Sequence, residues 1–409
     1  MKKTLVALAA LAAVGTASAQ SSVTLYGILD VGLSSYTTET PAGDVRNTGL
    51  SDGNTAFSRL GFRGVESLGG GLNAKFQLEI GLNANDGTNS ITTNTNNTAA
   101  GAIAAGPLVF GRIATVGIGG SWGEVRLGRE IHPGYFIHGV YDPFAAVGVA
   151  AALSSVQAID AFIFTGAQLR FSNGIAYQLP PNLGGVYGAI IYAPSEAASN
   201  SVVAGNRDGD GEGLGARLGY SSGPFDISVG YTTVKASVPV AVTVGDANGA
   251  PAGGAGRSAD RTNFLIGASY DFGVVKLQGI YSRLEADSFR FTNRDLENDT
   301  FQIGVTVPFG PQHVFKASLA RSESSGQNTE ETSKFGIGYE YRLSKRTALY
   351  AQYARTSNSN GGVIGVGPLP TNQGTALNNQ GATGFLPAGS VTRPNGDASG
   401  FDLGIRHAF

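Results

Sequence analysis

Between residues 72 and 82 the chain reads Leu-Asn-Ala-Lys-Phe-Gln-Leu-Glu-Ile-Gly-Leu, apolar at every even position and polar at 73, 75, 77 and 79. A period of two sustained this long belongs to a β-strand, because successive side chains of a strand point to opposite faces. The same alternation runs through Phe301/Ile303/Val305/Val307/Phe309, through Phe335/Ile337/Tyr339/Tyr341/Leu343 and through Phe401/Leu403/Ile405. Each stretch has one apolar and one polar face.

Such stretches recur along the chain, separated alternately by short and long connections. The short ones carry turn chemistry: Gly69-Gly70-Gly71, Ser121-Trp122-Gly123, Pro180-Pro181-Asn182, Ser222-Gly223-Pro224, Asp271-Phe272-Gly273, Gly310-Pro311-Gln312 and Ser344-Lys345-Arg346. The long ones are polar or rich in small residues and fall near 38–56, 87–106, 131–167, 197–212, 238–260, 288–297, 325–331 and 359–397. Between them lie about sixteen candidate strands of roughly 10–13 residues, the length of a tilted bilayer crossing. An even number of strands, alternating connections and one apolar face per strand predict an all-β fold, a 16-stranded antiparallel transmembrane β-barrel. A soluble sandwich or propeller also alternates, but no linker divides the repeat and no blade motif returns.

Composition agrees with this reading. Only 14% of residues are charged, well below the quarter usual in soluble domains, and the formal net charge is −2. Nucleic acid is excluded as a partner by the lack of a cationic surplus, and thiolate chemistry by the absence of Cys. Residues 1–19 read as a signal peptide: Lys2-Lys3, an apolar run from Leu5 to Val14, then Ala17-Ser18-Ala19 before Gln20. Residues 20–409 are then the barrel domain. The longest apolar run after it, Phe144 to Leu153, is too short for a membrane-spanning helix.

Four motifs stand out: Ser22-Val23-Thr24-Leu25-Tyr26-Gly27-Ile28-Leu29-Asp30, the run from Ser58 through Arg59-Leu60-Gly61-Phe62-Arg63-Gly64 to Leu72, Val125-Arg126-Leu127-Gly128-Arg129, and the terminal Gly404-Ile405-Arg406-His407-Ala408-Phe409. Together they resemble the general diffusion porins of Gram-negative outer membranes, in the branch typical of beta-proteobacteria. The resemblance implies passive diffusion of small hydrophilic solutes and ions, no enzymatic activity, and a homotrimer. It implies a third external loop, here about 131–167, folded inward to narrow the pore. It also implies that Phe409 belongs to the signal read by the outer-membrane assembly machinery, and that lipopolysaccharide surrounds the barrel.

Strand parity assigns the pore lining. With Leu60 and Phe62 toward lipid, Arg59 and Arg63 point inward, and Lys75 and Arg126 follow by the same rule. Arg112 and Arg129 match positions that are basic in similar porins, yet parity puts them with Phe110, Ala114 and Val116 and with Val125 and Leu127. A bulge near the rim, or a position beyond the apolar band, would reconcile the two. Asp142 and Asp160, the two carboxylates of the loop, are expected opposite the arginines, giving a transverse field and an anion-leaning pore.

Other motifs point to chemistry more weakly. Gly219-Tyr220-Ser221-Ser222-Gly223 matches a nucleophile elbow but leads into another alternating strand and reads as a turn. A lipid hydrolase therefore lacks a triad, and an adhesin or structural barrel is the other alternative. The four His, at 132, 138, 313 and 407, have no metal-ligand spacing. Asp208, Asp210 and Glu212 could hold Ca²⁺ but lack the twelve-residue loop pattern, so no cofactor is expected.

Overall fold

The alternating runs do form strands, and the strands close on themselves. In the computed structural model, residues 22–41, 43–90, 110–152, 169–195, 209, 211–238, 257–286, 296–325, 330–361 and 394–409 are described. The strand segments among them are β1 (Ser22–Thr40), β2 (Gly43–Asp52), β3 (Arg59–Gly69), β4 (Leu72–Asn83), β5 (Thr88–Ser90), β6 (Ile113–Gly120), β7 (Gly123–Ile131), β8 (Arg170–Gln178) and β9 (Val186–Ala193). They continue as β10 (Gly213–Ser222), β11 (Phe225–Val238), β12 (Arg257–Asp271), β13 (Lys276–Ala286), β14 (Leu296–Phe309), β15 (His313–Ser325), β16 (Glu330–Arg342), β17 (Thr347–Ser359) and β18 (Asp397–Ala408).

These segments make sixteen barrel strands. The first half of β1 pairs with β3 and its second half with β2, so β2 and β3 are one strand interrupted at 53–58. In the same way β4 pairs with β5 and with β6. All pairings are antiparallel between neighbours, and β1 also pairs with β18 from Ile28↔Ala408 to Thr38↔Ala398, which closes the barrel. Gly27 and Phe409 complete the seam with reciprocal backbone hydrogen bonds of 3.1 and 3.0 Å. Closure matters because a sheet edge left in hydrocarbon would strand its backbone N–H and C=O groups.

The connection expected as a long loop at 38–56 is different. β1 runs on to Thr40, a tight turn follows, and β2 returns from Gly43. The polar composition of this stretch suggests a loop, but its polar side chains bond across the hairpin, Thr48 Oγ1 with Ser35 Oγ at 2.7 Å and Arg46 Nε to Ser35 Oγ at 3.1 Å. The chain leaves the sheet only at 53–58.

Parity sorts the side chains as expected. Leu25, Leu33, Val116, Ile118, Leu319 and Leu403 are exposed on one face, whereas Asp30, Ser34, Thr115, Ser318 and Asp402 are buried on the other. Aromatics gather on the outer face at the end with the short turns, where Trp122 stacks on Tyr177 with centroids 6.3 Å apart and Tyr270 meets Phe272 at 4.6 Å. Amphipathic rings suit the boundary between hydrocarbon and water.

After β7 the chain makes a 3₁₀ turn (Pro133–Tyr135) and a short helix, α1 (Phe136–Tyr141), then continues in small apolar residues to Ala152. This segment packs against the polar face of the sheet. Ile137 and Tyr141, one helical turn apart, occupy the space left by Gly230 and Gly267, where a side-chain carbon on Gly267 would overlap the Tyr141 ring. Phe144 fills the gap at Gly338. Val149 N donates to Asp402 at 3.1 Å, Ser318 Oγ donates to the Ala150 carbonyl at 3.3 Å, and Lys334 Nζ to the Ala151 carbonyl at 2.7 Å. Residues 153–168 lie outside the described residues, as do residues 1–21.

Depth on the outer face predicts different tolerance. Leu319, 57% exposed amid the apolar band, should cost about 2–4 kcal/mol when replaced by Arg, and Ser357 near the strand end about 0–1 kcal/mol for the same change. Urea unfolding of Leu319→Arg and Ser357→Arg in lipid vesicles measures the difference; equal costs would mean that this face does not meet lipid.

Candidate functional site

A single buried carboxylate organises the polar face of β3 to β8. Glu79 sits near the end of β4, and its register partners place it opposite Gly61 of β3 and Ile113 of β6. Arg112 Nε reaches Glu79 Oε1 at 2.7 Å, with side chains only 4% and 5% exposed. Arg59 Nη1 is 4.0 Å from the same oxygen, and Tyr26 OH donates to Oε2 at 3.0 Å. The Arg112 guanidinium also lies over the Phe57 ring, 5.6 Å from its centroid. A pair this deeply buried holds only because each partner satisfies the other.

Both exceptions to parity have a structural cause. Arg112 precedes the first residue of β6, where the chain enters the sheet and alternation does not yet apply; its N–H donates to the Glu79 carbonyl at 3.1 Å. Arg129 follows a β-bulge: the β7–β8 register shifts between Gly128 and Glu130, with Gly128 at φ +126° and Asn173 at φ +56°. Gly128 is required there, since a side-chain carbon would overlap the Ala114 carbonyl oxygen. The shift lets Arg129 donate to the Gly111 carbonyl through Nε and to Ser172 Oγ through Nη1, both at 2.7 Å.

Arg170, at the start of β8, joins the group unannounced by the motifs. It is buried and donates through Nε to the Arg112 carbonyl at 2.9 Å. Its even-numbered spacing from Ser172 and Gln178 was the available signal. Toward the short turns the same wall carries Arg63, whose guanidinium lies 5.3 Å from the Tyr26 ring centroid, Lys75 paired with Glu124 at 2.7 Å, and Arg126 paired with Glu130 at 2.8 Å. Lys75 and Arg126 both face Gly117, which lies between them on β6. The described polar face of β3 to β8 thus sets seven cationic side chains against the carboxylates of Glu79, Glu124 and Glu130.

Asp142 does not oppose these arginines. Its carboxylate accepts the backbone N–H of Phe144 at 2.9 Å and of Ala152 at 3.2 Å, so it folds its own segment instead of facing the channel. Burial raises its pKa above the usual carboxylate value. Asp160 lies outside the described residues. Nearby, Tyr141 OH donates to Asp226 in a short hydrogen bond, and Tyr187 OH donates to the same oxygen at 2.7 Å, which ties α1 to the wall.

The remaining motifs have bland roles. Ser221 is the penultimate residue of β10, just before the Gly223–Pro224 turn into β11, not a strand-to-helix elbow. Glu212 pairs with Lys235 at 2.7 Å, and this hydrogen bond lowers its pKa; Asp208 and Asp210 lie outside the described residues. Among the described residues no group of His, Asp and Glu is arranged to hold a metal ion.

Comparison with known proteins adds lineage to this geometry. A sequence model described as "Gram-negative porin" matches residues 5–361. Outer membrane porin protein 32 of Delftia acidovorans is 32% identical over the full length of both chains, and an outer membrane porin protein of Bordetella pertussis is 30% identical over 88% of this chain and 95% of its own. The solved structure described as an anion-selective porin from Comamonas acidovorans covers 95% of this chain and all of its own at a TM-score of 0.73 and 30% identity.

Two outcomes are expected from the buried groups. Replacing Arg112 by Met leaves Glu79 buried with a weakened partner and should lower stability by about 3–5 kcal/mol, most of it recovered in the double Glu79→Leu/Arg112→Met variant; urea unfolding in vesicles reads both. His138 on α1 has its pKa lowered by burial from 6.5 to about 4. The unfolded chain therefore takes the proton first, and stability should fall as pH drops from about 6.5 toward 4, by up to about 3 kcal/mol. The thermal midpoint of the wild type should drop more over this range than that of His138→Gln; parallel curves would refute the assignment.

Proposed function

The chain belongs to the Gram-negative porin family, multi-pass β-barrel channels of the outer membrane for passive diffusion of small hydrophilic solutes, and from that premise we propose that this pore favours anions. The observation that carries the proposal is the seven-to-three surplus of cations on the polar face of β3 to β8. Fixed charge at the narrowest part of a channel decides which ions enter, while the net charge of the whole chain acts over longer, better screened distances. The name of the Comamonas relative, an anion-selective porin, points the same way.

In this reading the segment after β7, the third external loop, folds into the lumen and narrows it, with its apolar side against β11 to β18. Ions then pass between that segment and the wall bearing Arg59, Arg63, Lys75, Arg112, Arg126, Arg129 and Arg170. Because Asp142 is engaged within the segment, no described carboxylate of the loop offsets these cations. The barrel assembles as a homotrimer within lipopolysaccharide, has no enzymatic role, and offers Phe409 to the assembly machinery; the exposed Phe409 side chain on the closing seam is consistent with that last role.

Reversal potentials across a planar bilayer in a potassium chloride gradient test the proposal. The wild type should prefer chloride, Arg59→Ala and Arg129→Ala should move toward cations, and Glu79→Gln should move further toward anions. Clear cation preference in the wild type, or no movement in Arg59→Ala, would sink it.

A further inference from the structure

Away from the Glu79 cluster, a second set of cations lines the opposite wall at the end bounded by the short turns. Arg342 Nε binds Glu340 Oε1 at 2.9 Å, and Arg406 Nη2 lies 3.3 Å from Glu340 Oε2. The two arginines face the same small residue from either side: Arg342 of β16 and Arg406 of β18 are both register partners of Ala348 on β17. Their Cα atoms are therefore about two strand spacings, roughly 10 Å, apart, with a methyl group between them. Lys316 of β15 completes the set. It pairs in register with Gly338, two residues before Glu340, and its ammonium lies 6.0 Å from the Phe144 ring centroid. Among the described residues no ion pair or hydrogen bond is made by that ammonium.

Two paired arginines and an unpaired ammonium thus surround one carboxylate, Glu340, above the small buried side chain of Ala348. Other carboxylates near them are engaged. Asp30, the register partner of Arg406 on β1, accepts hydrogen bonds from Thr55 N at 2.7 Å, Ala56 N at 2.8 Å and Tyr350 OH at 2.5 Å. Asp142 accepts the backbone N–H groups of its own segment. Arg406 spends one further N–H on Thr55 Oγ1 at 3.5 Å, but each guanidinium carries five N–H donors, so several remain. Donors converging from three strands around a small floor suit a group with three or more acceptor oxygens better than a single halide ion.

We propose that Lys316, Arg342 and Arg406 form a transient subsite for a tetrahedral oxyanion, a phosphate group either free or as the head of a monoester. The inference rests on the anion-leaning reading of the pore and gives it a solute class. A multivalent anion leaving the Glu79 wall meets a second cationic station before the short-turn mouth, where the N–H groups of Arg342 and Arg406 not spent on Glu340, together with the Lys316 ammonium, meet its oxygens.

The test is chloride conductance of single channels with inorganic phosphate or glycerol 3-phosphate added at the short-turn side. Both should reduce the wild-type current. The Lys316→Gln/Arg342→Gln variant should need about tenfold more of either for the same reduction, equivalent to about 1.4 kcal/mol. Ala348→Glu, which fills the floor with a negative charge, should abolish the effect while heat-modifiable migration reports an intact barrel. Reduction by both anions supports recognition of the phosphate head from either source, and reduction by inorganic phosphate alone supports a site for the free ion. The same block concentration in wild type and both variants would overturn the subsite. A wild type that prefers potassium over chloride would instead defeat the anion reading, and the phosphate comparison would still stand as its own measurement.

Discussion

In hydrocarbon no water is present to complete a backbone hydrogen bond, so every strand needs a neighbour on both sides. The seam between β1 and β18 supplies the last of these neighbours. Eleven register pairs from Ile28↔Ala408 to Thr38↔Ala398 join chain positions more than three hundred residues apart, and Phe409 extends the ladder to Gly27. With the seam made, each strand's register is fixed by both flanking strands. A slip of one residue would turn Leu319 or Leu403 inward and Ser318 or Asp402 toward lipid.

Closure also creates the interior problem. Polar side chains that would be solvated on an open sheet are confined where the chain doubles back over them, and they satisfy one another. Asp30 gathers the backbone of residues 55 and 56 together with Tyr350, and Asp402 gathers Ser34, Tyr36, Gln352 and Val149. These two carboxylates hold the 53–58 excursion and the end of the segment after β7 against the same stretch of wall. On the other side Glu79 does the equivalent for Arg112 and Arg59. The cationic surplus is what remains when such local pairings have been made.

Much of the polar face was legible in the alternation. Arg59, Arg63, Lys75 and Arg126 needed only parity, because a strand's period is fixed by backbone geometry and holds wherever pairing is regular. Arg112 and Arg129 escaped it because one lies before its strand and the other follows a bulge, and a bulge is visible only in the register of two paired strands. The hairpin at 40–43 was hidden because polar Ser, Thr and Asn residues look like loop until they face partners across a ladder. The role of Asp142 was hidden for the same kind of reason: its acceptors are taken by backbone N–H groups two and ten residues on.

The sequence by itself determined that the chain crosses a membrane as strands, how many strands there are, and which face of each is apolar. Those properties follow from a local period and from turn residues, and no distant contact can change them without reversing every side chain. Only the tertiary structure decided which charges stand together. Glu79 meets Arg112, Asp402 meets Val149, and Lys316, Arg342 and Arg406 surround Ala348 because barrel closure and loop path bring separate strands into register. Charge at a point in the pore is a sum over side chains from several strands, and that sum does not exist until the strands are paired.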